Sequence, residues 1–82
     1  MIMDEYADIR EYIAEAVHNA WMEGRVSEGW RYGEEKNISL KLDPNICPYP
    51  YLTESEKEYD RRTAEATIKA LLEKGYRIEK EV

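Results

Sequence analysis

Asp4-Glu5-Tyr6-Ala7-Asp8-Ile9-Arg10-Glu11-Tyr12-Ile13-Ala14-Glu15-Ala16-Val17-His18-Asn19-Ala20-Trp21-Met22-Glu23-Gly24 is the stretch whose pattern decides the fold. Tyr6, Ile9, Ile13, Ala16, Val17 and Ala20 recur at spacings of mostly three and four, which gathers them into one apolar stripe of an α-helix. Asp4, Glu5 and Asp8 fall in the first turns, where the positive end of the helix dipole favours carboxylates. Gly24 offers a stop. The spacing therefore predicts a helix over about 4–23.

Further along, Gly29, Gly33, Pro44, Pro48 and Pro50 punctuate residues 25–51, so no long helix fits there. Ile38, Leu40 and Leu42 alternate with Ser39 and Lys41, the period of a short strand with one buried face. The run Pro44-Asn45-Ile46-Cys47-Pro48-Tyr49-Pro50-Tyr51 is expected to be an extended strap, since residues before proline avoid the helical region. Thr53-Glu54-Ser55-Glu56 then matches a capping box. It opens a second helix with a stripe of Ala64, Thr67, Ile68, Leu71 and Leu72, ended by Gly75 after Lys74. Tyr76, Ile78 and Val82 alternate, a pattern that suits a short strand pairing with residues 37–42. The expected fold is mainly α: two amphipathic helices, about 4–23 and 54–74, joined by a long turn-rich segment with short β-strands, all in a single domain over 1–82.

Composition narrows the function. With 82 residues, 43% hydrophobic and 37% charged, the chain is one small domain that buries only about 60% of its unfolded surface. A core that thin makes self-association physically plausible. A formal net charge of -6 argues against binding nucleic acid polymers, whose affinity comes largely from neutralised phosphates. Cys47 is the only cysteine and His18 the only histidine, so neither a disulfide nor a zinc site is expected. The acidic start predicts no secretory leader. No apolar run approaches the roughly 18–20 residues that cross a bilayer. The expected location is the cytoplasm, away from membranes.

Seven tyrosines against no phenylalanine mean that each aromatic ring brings a hydroxyl needing a partner or water. Gly29-Trp30-Arg31-Tyr32-Gly33 displays an indole and a phenol on a glycine-bounded turn. Such a turn either packs onto the helices or offers a stacking platform to a flat heterocycle, and Trp21, Tyr49 and Tyr51 extend the aromatic set. Arg25, Arg31, Lys36, Lys57, Arg61 and Arg62 supply cations in an acidic chain. Lys57 and Arg61, four apart near the start of the second helix, suit an anion as well as they suit salt bridges to Glu54, Glu58 and Glu65. Asp60 lies in line with the buried stripe and must be hydrogen-bonded or paired. His18 flanks the first stripe three residues before Trp21, and with no second base or nucleophile a catalytic triad cannot be assembled. His18, Trp21 and Asp60 are read as structural, and no enzyme, metal or cofactor is expected.

These residues also form a family pattern. From His18-Asn19-Ala20-Trp21 through Arg25-Val26, Gly29-Trp30-Arg31-Tyr32-Gly33 and Pro48-Tyr49-Pro50-Tyr51-Leu52 to Glu56-Lys57-Glu58-Tyr59-Asp60-Arg61, and on to Leu71-Leu72 and Gly75-Tyr76, the chain resembles the RyR domain. That repeat occurs in tandem in ryanodine receptor channels and as small free-standing prokaryotic and phage proteins. The sequence departs from it at Asp43 before Pro44, where the family often has histidine, and in the Cys47-Pro48-Tyr49-Pro50 context. The resemblance implies a non-catalytic, mainly helical module, and a single copy is a candidate homodimer because channel repeats come in pairs. It also implies a nucleotide-derived ligand, since the matching tryptophan in one channel repeat contacts an adenine base and prokaryotic members are suspected nucleotide sensors. The expected ligand-binding residues are Trp30, Tyr32, Arg25, Tyr51, Lys57 and Arg61, for a nucleotide or other small anion. The alternative is a protein-interaction or homo-oligomerisation module with no small-molecule ligand.

Overall fold

In the computed structural model, which describes residues 5–81, helix α1 spans Ala7–Ser27 and helix α2 spans Glu54–Glu73. A single 3-10 turn, Tyr49–Tyr51, lies between them. The helices run antiparallel: Arg10 reaches Glu65 at 2.9 Å, whereas His18, later on α1, shares a cleft with the earlier Asp60 of α2. A Cα radius of gyration of 15.2 Å and extents of 45 × 24 × 23 Å describe an elongated body, since a compact chain of this length has a radius near 12 Å. Length leaves little interior.

The helices meet where side chains are smallest. Ala14 and Ala64 are fully buried, together with Ile68, while Tyr49 and Leu52 close the core from the connecting segment. The α1 stripe is turned from the one expected: Ala14 and His18 are buried, and Ala16 and Ala20 are exposed. On α2, Ala64 and Ile68 are buried as the stripe predicts, but Thr67 is exposed and bonds the Thr63 carbonyl at 2.9 Å.

Polar side chains staple this thin core. Arg61 grips Glu11 with two bonds, Nε to Oε2 at 2.8 Å and Nη2 to Oε1 at 3.0 Å. The Tyr49 hydroxyl donates to the same Glu11 at 2.8 Å, so one carboxylate joins both helices and the connecting segment. Its bonds to Arg61 hold the Glu11 carboxyl down to about 2. Burial, followed by the Glu11 bond, pushes the Tyr49 phenol up to about 12.

Gly24 does not stop α1. The helix runs on to Ser27 and ends where Gly29 takes a left-handed φ of 94°. There the Trp30 amide bonds the Arg25 carbonyl and the Gly29 amide bonds the Val26 carbonyl, each at 3.0 Å, the paired pattern of a Schellman cap. Asp4 lies outside the described residues. The α2 start behaves as its sequence predicts on one side, with Thr53 Oγ1 accepting from the Glu56 amide at 3.3 Å. Gly75, at φ 96°, closes α2 with a second Schellman pair, Tyr76 amide to Leu71 carbonyl at 3.0 Å and Gly75 amide to Leu72 carbonyl at 3.1 Å.

No strand forms among the described residues. Instead of a strand, residues 38–41 make a turn, because Asn37 Oδ1 accepts from the Leu40 amide at 3.1 Å and from Ser39 Oγ at 2.9 Å. Lys41 completes it at φ 55°, and isolated bridges from Leu42 to Arg31 and Asn37 close the loop. Ile38 and Leu40 are left 73% and 63% exposed. Residues 76–81 carry no regular structure and no bridge to 37–42, and Val82 lies outside the described residues. The proline-rich strap is corrected as well. It bends at Asp43–Asn45 and again at the 3-10 turn, where the Tyr51 and Leu52 amides bond the Pro48 and Tyr49 carbonyls at 3.0 Å. Burial of Tyr49 and its bond to Glu11 override the local preference of a residue before proline.

Candidate functional site

Four segments converge on a cleft of about 370 Å³, within the range of small-molecule sites. His18, Trp21 and Arg25 stand at helical spacings of three and four on the last turns of α1, so they share one face. The Schellman cap returns the chain directly onto that face, delivering Trp30. Arg25 then stands between two indoles, its guanidinium carbon 5.7 Å from the Trp21 ring centre and 5.3 Å from that of Trp30. Both distances fall in the cation–π range.

The turn that carries Trp30 is tied down from behind. Arg31 donates its amide to the Lys41 carbonyl at 2.9 Å and accepts from the Asp43 amide at 3.0 Å. Lys41 Nζ bonds the Glu28 carbonyl at 2.7 Å. Gly33 lies so close to Leu42 that an added Cβ would stand 2.7 Å from Leu42 Cβ. Only glycine lets the two backbones approach this far.

The opposite wall comes from the first turns of α2, which present Glu56, Tyr59 and Asp60, while Lys36, Asp43, Asn45 and Leu52 complete the lining. His18 is 4% exposed, stacks against Trp21 at 5.8 Å between ring centres, and spends Nε2 on the Cys47 carbonyl at 2.6 Å. A carbonyl only accepts, so His18 Nε2 is the donor in this bond. Asp43 is 6% exposed, and its Oδ1 takes the Asn45 amide at 2.8 Å. Burial pushes the Asp60 carboxyl up; neighbouring His18 pulls it down and Glu56 adds to the rise. Burial, with Asp43 adding, also raises the Cys47 thiol, which keeps it from acting as a ready nucleophile.

Residues 1–80 match the family model of the RyR domain. The chain belongs to the RyR domain family. In this RyR domain, Trp30 and Arg25 come together in the cleft, as do His18, Trp21 and Asp60, which the sequence suggests as structural. Tyr51 lines an adjoining cavity of about 520 Å³ that shares Lys36, Asp43, Asn45, Leu52 and Glu56. Tyr32 is exposed and borders neither cavity.

Lys57 and Arg61 are placed elsewhere. Lys57 Nζ lies 5.7 Å from the Tyr49 ring centre and 3.5 Å from Glu54. Arg61 is committed to Glu11, Glu54 and Glu58. The cleft of this RyR domain is thus of mixed charge, with Arg25 and Lys36 facing Asp43, Glu56 and Asp60. Sequence reasoning missed Glu56 as a lining residue because the capping pattern accounts for it. The signal that finds it is its position four before Asp60 on the same helix face.

Proposed function

We propose that this RyR domain is a non-catalytic, cytoplasmic small-molecule binding module that senses or sequesters a nucleotide-derived ligand. One observation carries the reading: two indoles and an arginine are preassembled along a cleft of mononucleotide size. Flat heterocycles stack on indole and guanidinium planes, worth about 1–3 kcal/mol per base. Arg25 and Lys36 are the cations available there to meet a phosphate.

Thermal unfolding with a nucleotide panel tests it. A ligand present at about 100 times its dissociation constant adds about 2.7 kcal/mol of stability. Trp30→Ala should abolish that gain, and chromatography after prolonged incubation should reveal no product. No shift with any nucleotide at millimolar concentration would remove the reading.

A second reading, an interaction or homodimer module, is favoured by the exposed Ile38 and Leu40 at the tip of their turn. Sedimentation separates the two. If Ile38→Ser with Leu40→Ser dissolves an assembly while nucleotides leave the melting temperature unmoved, the interaction reading stands.

A further inference from the structure

Resting on the binding reading above, we infer that Arg25 is a gate: it yields the aromatic face of the cleft to a base only when the ligand also carries a phosphate, so the site takes nucleotides and refuses nucleosides. The guanidinium already occupies the space between Trp21 and Trp30, 5.7 Å and 5.3 Å from their ring centres. Arg25 is half-buried and lines the cleft beside Asp43, Glu56 and Asp60, yet its side chain makes no hydrogen bond or ion pair among the described residues. The two ring faces are what hold it.

The rings themselves are fixed by other contacts. His18 stacks on Trp21 at 5.8 Å between centres, and the Trp30 amide bonds the backbone carbonyl of Arg25 at 3.0 Å. The Arg25 side chain can therefore swing away while both indoles stay in place. A cation–π contact at a partly exposed site is weak, whereas a guanidinium binds a phosphate through two charge-assisted bonds in parallel. A base alone gains stacking on an indole but strips the guanidinium from its rings and gives it no new partner. A base with a phosphate supplies that partner. Asp43, Glu56 and Asp60 sharpen the requirement, because an anion among three carboxylates is repelled unless a cation comes out to meet it.

The test is isothermal titration calorimetry of the full chain with adenosine, guanosine, cytidine and uridine, each beside its monophosphate. In the unaltered protein a monophosphate should bind, and its nucleoside should be weaker by about tenfold or more, the worth of a hydrogen bond to a charged group. In Arg25→Ala the nucleoside should tighten by about tenfold, the combined worth of two exposed cation–π contacts, and the preference for the monophosphate should disappear. A merely structural arginine would weaken both ligands on removal. Arg25→Gln, with folding of both variants checked by circular dichroism, repeats the measurement should Arg25→Ala fail to fold.

A nucleoside that binds the unaltered protein as tightly as its monophosphate overturns this inference and leaves the binding reading intact. A nucleoside that binds the folded variants no tighter than the unaltered protein also overturns it, since Arg25 is then a fixed wall of the site and not its occupant. Failure of every nucleotide to bind removes the binding reading, and the inference falls with it.

Discussion

The two helices end in the same way and lead to opposite outcomes. Both α1 and α2 close with a left-handed glycine and the same pair of backbone bonds. After Gly29, the chain is held by Leu42, Lys41 and Asp43, and Trp30 is half-buried against Arg25. After Gly75, nothing lies within 4 Å of where a Cβ would be, and Tyr76 is 63% exposed. A cap of this kind sets the direction of the next residue but not its fate. What turns an aromatic after the glycine into part of a site is the long-range capture of the segment that follows.

The harshest way to break the comparison is at Gly33. Gly33→Ala forces a Cβ against Leu42 at 2.7 Å, and overpacking of this order costs about 1–3 kcal/mol. Chemical denaturation should show that loss, accompanied by a red-shifted Trp30 emission as the captured turn opens. Next come the caps themselves. Gly29→Ala and Gly75→Ala each place a side chain at a left-handed φ, costing about 1–2 kcal/mol. Their denaturation midpoints should fall by similar amounts, but only Gly29→Ala should change tryptophan emission. Equal spectral effects from both would refute the contrast drawn here.

The staple at Glu11 holds the far end of the captured segment through Tyr49, and pH probes it. Glu11 is lowered from 4.5 to about 2 in the folded protein, so its contribution is full above pH 4.5 and is lost as pH falls towards 2. Tyr49 is raised from 10.0 to about 12, so its contribution is full below pH 10 and is lost as pH climbs towards 12. Glu11 is partly exposed, which discounts the acid-side loss to about 1 kcal/mol. Arg61→Ala should flatten the acid limb of a melting temperature–pH profile. Smallest is Gly24→Ala, inside α1 with nothing within 4 Å of the added Cβ. It should raise stability by about 0.5–1 kcal/mol, opposite in sign to the change at Gly29.

Gly24 and Gly29 also show how far the sequence is readable. Either glycine could end the helix on local grounds, and it is the segment after Gly29 that is captured, by contacts made at residues 41–43. Helix existence was legible in the stripes of α1 and α2, and the Thr53 cap and Gly75 stop were legible in local chemistry. Residues 38–42 were not, because apolar alternation looks the same whether Asn37 builds a turn or a ladder. In the cleft, Trp30 and Arg25 could be picked out because a cap brings them together within five residues. For Lys57 and Arg61 the sequence left an anion site and local salt bridges both open; the bridges to Glu54 and Glu58 form, while the grip of Glu11 on Arg61 was not legible because Glu11 lies 50 residues away. Asp60 could be singled out by its place in the α2 stripe, but its meeting with His18 was not legible because it comes only through helix packing.

Ala14 stands one helical turn before His18, and Ala64 one turn after Asp60. Where these two alanines are buried, the helix axes have no thicker side chain to hold them apart. They work as the fulcrum of a pair of tongs whose jaws are His18 and Asp60. A methyl group added at the fulcrum would be felt as a wider gape at the jaws, so the bore of the cleft is gauged by two residues that never touch its contents.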